Sequence, residues 1–110
     1  MADQNEELQV IDVLPLGVAL TQSATGAVRK GNMLQLVRLV VPAGTDVPTH
    51  SAPGEITVQC LEGRVNFVSL GTSRELAQGD LILLPAGEPH SLHAIENASL
   101  LVTRALIAPA

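Results

Sequence analysis

The chain has 110 residues, 46% hydrophobic and 15% charged, with a formal net charge of −5. That length and balance suit one globular domain and exclude a disordered chain. Six scattered Lys and Arg make no basic patch, and there is one Phe with no Trp or Tyr; nucleic acid and anionic membrane are therefore poor partners, no phenol can act as a general acid, and no aromatic platform can stack on a base or sugar.

In chain order, Met1 to Glu7 reads as a loose tail and residues 8–110 as a single domain. The acidic, polar start lacks the basic and apolar regions of a signal peptide, and Val13 to Val28 is too interrupted by Pro15, Gly17 and Gly26 to span a membrane. With one unpaired cysteine, Cys60, these features predict a cytoplasmic protein. No stretch sustains a helical period. Short apolar runs broken by Gly and Pro dominate, which predicts an all-β domain.

Strands are predicted at Leu8–Leu14, Gly17–Ser23, Ala27–Lys30, Leu34–Val41, Ile56–Leu61, Val65–Leu70, Ser73–Leu76, Asp80–Leu84, Ser91–Ile95 and Ser99–Ile107. Glu62-Gly63 reads as a tight hairpin turn, and Gln78-Gly79-Asp80, Pro85-Ala86-Gly87 and Glu96-Asn97 as further turns. In the run from Ile56 to Leu61, alternation puts Ile56, Val58 and Cys60 on one apolar face, the interior. Val58, Cys60, Val65, Phe67, Ile82 and Leu84 are the expected core. The opposite face, Thr57, Gln59 and Leu61, is only partly polar, as is common where a sheet packs on a second sheet or a second subunit. With the apolar stretch Val10–Leu20, it predicts a homodimer in which the N-terminal strands pack on the partner sheet.

Two segments carry a closer signal. The second runs Gly79, five residues, Pro85, one residue, Gly87, two residues, His90. The first runs Gly44, five residues, His50, and on through Ala52 to Gly63. Together they resemble the paired motifs of the cupin superfamily, and the resemblance covers a little under half the chain. It implies a cupin-type double-stranded β-helix, a jelly-roll barrel. In that family His-x-His followed by Glu, with a His from the second motif, holds a divalent metal. Here Ala52 stands for the second His, Ile56 stands at the Glu position with Glu55 one residue off, and Ala94 replaces the closing Asn.

The family pattern has a physical reason. A cation such as Mn, Fe, Ni or Zn wants several N or O ligands from one face, so ligands recur at even spacing on a strand. Positions 50, 52 and 56 satisfy that parity and Glu55 does not. His90 comes from another strand and is expected to meet His50 across the barrel. His93, at an odd offset from His90, is expected outside. The predicted ligand cavity is lined by His50, Ala52, Ile56, Val58, Cys60, His90 and Leu92, with His50 and His90 as the candidates for a weakly held divalent metal. Cys60 reads most simply as an inert buried residue, because a catalytic thiol needs a base in reach.

Three functions follow. One is a small-molecule-binding barrel with a degraded metal site. Another is a metal-dependent enzyme of dioxygenase, isomerase or decarboxylase type using His50 and His90. The third, a metal-free epimerase type, is the weakest, because no acidic residue falls on the inner face beside His50 and no Tyr exists.

Overall fold

The computed structural model describes residues 8–106, so the predicted 1–7 tail and the end of the last predicted strand, Ile107, lie outside the described residues. Nine strands are described: β1 (Gly26–Lys30), β2 (Leu34–Val41), β3 (Asp46–His50), β4 (Ile56–Glu62), β5 (Arg64–Ser69), β6 (Thr72–Ala77), β7 (Leu81–Leu84), β8 (His90–Ala94) and β9 (Ala98–Ala105). They form two antiparallel sheets, one ordered β1-β2-β9-β4-β7 and the other β3-β8-β5-β6. Only β1–β2 and β5–β6 are consecutive strands within one sheet; every other connection crosses from one sheet to the other. That alternation is the double-stranded β-helix, in which each sheet buries its apolar face against the other.

The longest ladder joins β2 to β9 without a break, from Leu34 opposite Ala105 to Val41 opposite Ala98. Parity along it decides what faces inward. Leu39 and Val41 stand opposite Leu100 and Ala98, and Val58 and Cys60 stand opposite Val102 and Leu100. Against them lie Val65, Phe67, Leu92 and Ala94 of the second sheet, in one buried cluster with Ile56, Leu76 and Leu84. Each such aliphatic side chain contributes about 1.5–3 kcal/mol by leaving water. The expected core residues are buried there, except that Ile82 is only partly so.

Three expectations are corrected. First, Leu8–Leu14 is not a strand, and Gly17–Ser23 contains a 3-10 helix, Gly17–Gln22. Pro15 offers no amide to a ladder, and Gly17 takes φ +59°, which turns the chain. The segment is held by polar pins instead. The Leu16 and Gly17 amides donate to the Glu62 carboxylate at 2.8 and 3.0 Å, and Arg38 donates to the Leu14 carbonyl at 3.0 Å. The Ser99 hydroxyl donates to the same Glu62 carboxylate. Burial pushes the Glu62 carboxyl up, but these bonds and Arg38 outweigh it and hold it below the usual range.

Second, β3 was not expected as a strand. Pro48 disrupts its pattern, but β3 ends its sheet, where proline is tolerated. Third, Glu62-Gly63 is not a hairpin turn. It is the corner at which β4 leaves the first sheet and β5 enters the second. Gly63 has φ +76°, and its backbone lies against Asn97 and Ala98 of the β8–β9 corner. Among the described residues, the one two-residue hairpin between strands of a single sheet is Leu70-Gly71, with Ser69 opposite Thr72 and both central residues at positive φ.

Candidate functional site

The site begins with a bulge. Between β3 and β8 the register runs Asp46 opposite His93 and Val47 opposite Leu92, then shifts so that His50 falls opposite His90. The extra residue at Pro48-Thr49 re-aims the strand end and sets the two imidazoles side by side. Their ring centroids are 4.2 Å apart, at 62°, edge to face. They are neighbours on adjacent strands of one sheet, which corrects the expectation of a meeting across the barrel; the short β3, hidden by Pro48, is what makes them neighbours.

Each ring is held the same way. His50 Nδ1 lies 3.0 Å from the Pro48 carbonyl, and His90 Nδ1 lies 3.0 Å from the Glu88 carbonyl, both two residues back. A carbonyl oxygen only accepts, so Nδ1 carries the proton in both rings. In the neutral imidazoles Nε2 is then a bare lone pair, and the pair presents two acceptors. Phe67 stacks on His90, with centroids 5.7 Å apart and planes 12° apart. His90 is buried while His50 is exposed. Burial lowers the His90 pKa below the ordinary histidine value, and nearby His50 adds to this, against the opposing bond to Glu88.

That direction sets a pH dependence. A histidine with a depressed folded pKa binds fewer protons folded than unfolded, so its stabilising contribution is complete above the unfolded value of about 6.5. It is lost as pH falls toward the lower folded value. The melting temperature is expected to drop between pH 7 and 5, and His90→Asn should flatten that slope. An equal slope in the variant, measured by calorimetry, would assign the loss to other groups.

Both histidines line a cavity of about 200 Å³ inside the barrel. From their sheet come Val47, Phe67 and Leu92; from the facing sheet come Val37, Leu39, Ile56, Val58, Val102 and Arg104. Ser51 and Ala52 close the rim between β3 and β4, where the Gly87 amide donates to the Ala52 carbonyl at 2.8 Å. His50 and Ser51 are exposed, so this end is the mouth. Of the residues named from sequence, His50, Ala52, Ile56, Val58, His90 and Leu92 come together here.

Cys60 does not join them, which corrects its placement in the cavity lining. It shares the inward face of β4 but sits one repeat of two residues further along, toward the Gly63 corner. Its thiol is fully buried, 3.3 Å from the Glu62 carbonyl oxygen and 3.5 Å from that of Gly63. Burial pushes the thiol pKa up, which keeps it protonated and unreactive. His93 is exposed on the outer face and bonds Asp46 at 2.7 Å. Sequence reasoning missed Arg104, although Leu100, Val102 and Arg104 recur at even spacing on β9.

The donor set can be weighed against a resident metal. A tightly held divalent ion takes three or four protein ligands. Here the cavity supplies two imidazoles, with Ala52 and Ile56 as apolar wall and Glu55 exposed. Among the described residues, no three His, Cys, Asp or Glu side chains converge. A guanidinium faces the same space and repels a cation. The residues present do not fit a resident divalent metal.

A protein-family model described as "Cupin domain" matches residues 37–104. No curated protein matches the sequence at a significant level. Among solved structures, the chain is similar to an RmlC-like cupin protein from Desulfovibrio desulfuricans, with 25% identity, a TM-score of 0.74, and 90% of this chain and 97% of that one covered. A cupin superfamily protein from Desulfitobacterium hafniense aligns at 16% identity and a TM-score of 0.74, over 90% of this chain and all 100% of that one, a likeness of fold. A salicylate 1,2-dioxygenase from Pseudaminobacter salicylatoxidans aligns at 28% identity and a TM-score of 0.63, but over 66% of this chain and only 21% of the dioxygenase.

Proposed function

The chain belongs to the cupin family, and from that premise we propose that it binds a small molecule inside its barrel, without a tightly held metal. The observation that carries this reading is the pairing of two carbonyl-anchored imidazoles with an aliphatic wall around one cavity. A few polar groups set in an apolar pocket are the usual form of a small-ligand site. The volume of about 200 Å³ is below the ~300–1,000 Å³ of pockets for drug-sized ligands, so the ligand is compact.

The three histidines supply the test. In an NMR screen of small polar-aliphatic molecules, the Cε1–H signals of His50 and His90 should move while that of His93, on the outer face, stays still. Shifts confined to His93, or none, would sink the reading. Titrating Mn²⁺, Fe²⁺, Ni²⁺ and Zn²⁺ into chelator-treated protein addresses the metal. Binding should be weak and easily reversed. Tight stoichiometric binding, lost in His50→Ala and in His90→Ala, would instead favour the metal-dependent enzyme.

The same reading includes a homodimer in the cytoplasm. Leu81 and Leu83 on the outer side of β7 are 59% and 63% exposed, and Leu8, Val10 and Val18 of the N-terminal segment are almost fully so. Those surfaces favour pairing of two copies. A buried, unpaired cysteine suits a reducing compartment, and no helix among the described residues is long and apolar enough to cross a membrane. Light scattering at micromolar concentration should give twice the chain mass; a monomer would count against the pairing.

A further inference from the structure

Arg104 is the feature the small-molecule reading leaves unused. Among the described residues it is the only charged side chain that lines the cavity. Its Nε is buried and hydrogen-bonds to nothing, and among the described residues it has no ion-pair partner. Register explains why no acid neutralises it. Arg104 stands opposite Gln35 on β2 and Ile56 on β4, so neither flanking strand brings a carboxylate. A buried guanidinium N–H without an acceptor is costly unless something else accepts from it.

We propose that the cavity takes a small organic carboxylate, its carboxylate seated on Arg104 and a hydrogen-bond donor at its far end facing His50 and His90. This rests on the small-molecule reading and names the class of ligand. The planar guanidinium fork matches a carboxylate in a two-pronged grip, and a neutral ligand would leave it unsatisfied. At the other end the anchored imidazoles offer lone pairs, which a hydroxyl satisfies and a second carboxylate does not. Between the ends the wall is Val37, Leu39, Val102, Val47 and Leu92, which suits a short hydrocarbon body. Arg104 is on β9 and the histidines on β3 and β8, in the facing sheet. Facing sheets lie ~10 Å apart, so once both side chains have reached inward only a few carbons fit between them. Hydroxy acids of three to five carbons, roughly, have that shape.

The experiment uses four probes on the intact protein: 3-hydroxybutyrate, butyrate, 1,3-butanediol and inorganic phosphate. Binding is read by NMR from the Arg104 Nε–H and the histidine Cε1–H signals. 3-Hydroxybutyrate should move Arg104, His50 and His90 together. Butyrate should move Arg104 and bind more weakly, and the diol should move only the histidines. Arg104→Met should weaken 3-hydroxybutyrate at least tenfold and leave the diol response unchanged. Arg104→Lys, which keeps charge but not the fork, should fall between and guards against a misfolded methionine variant. If the diol moves the histidines but neither carboxylate moves Arg104, the proposal is overturned while the small-molecule reading stands. If no organic probe moves any of the three, both fail. Phosphate binding as tightly as 3-hydroxybutyrate would overturn the organic body and leave a simple anion site.

Discussion

Replacing Gly63 by alanine should cost the fold about 4 kcal/mol, a large share of the stability of a small domain. Two effects add. Gly63 lies at φ +76°, where an L side chain is strained by roughly 1–2 kcal/mol. A Cβ there would also overlap the Asn97 carbonyl oxygen and lie 2.9 Å from the Ala98 Cα. Both obstacles are backbone, so no rotamer change relieves them. The corners of two strand crossings would have to separate, and with them the start of the β9 ladder. Gly79, at φ +93° but with open space around it, supplies the control. Gly79→Ala should show the strain alone, roughly 1–2 kcal/mol. Chemical denaturation of both variants checks this, and equal losses would show that the close approach is unimportant.

Phe67→Ala should be nearly as damaging, at about 3–5 kcal/mol, or of order 15 °C in melting temperature. Phe67 is 3% exposed and is the only aromatic residue in the chain. Its aliphatic neighbours cannot collapse into so large a gap. The same change should alter His90. Burial is the main cause of its lowered pKa, and the Phe67 ring covers one face of it. With the ring gone, water reaches the imidazole, and its pKa should rise toward the ordinary value. Titrating the His90 Cε1–H signal checks the direction. An unmoved midpoint in a folded Phe67→Ala protein would mean that other walls keep His90 dry. Phe67→Leu should lose less than half as much stability.

Strand parity made most of this readable in advance. Ile56 and Val58 alternate cleanly with Thr57 and Gln59, so one pleat decides which side they take, and the structure agrees. The glycine and proline spacing ahead of His50 and His90 placed both on the cavity wall. What was not legible depends on partners distant in sequence. Glu62-Gly63 has the chemistry of a hairpin, and only the pairing of β4 with β7 and β9 reveals a corner. The N-terminal segment has the composition of a strand, but its amides go to Glu62, 46 residues away from Leu16. Arg104 was readable by the argument used for β4. Its charge, in phase with Leu100 and Val102, interrupts the apolar pattern that marks an interior face.

Pro48 has a consequence beyond aiming His50. β3 is the last strand of its sheet, beside the cavity mouth, and an open strand edge invites another chain to add itself. Here the invitation is withdrawn: the strand has five residues, lacks one amide hydrogen at Pro48, and is kinked between Val47 and His50. A straight intruding strand cannot stay in step with it. The proline that breaks the strand pattern of β3 should also protect the folded protein from fibre growth, leaving the way into the barrel clear in a crowded cell.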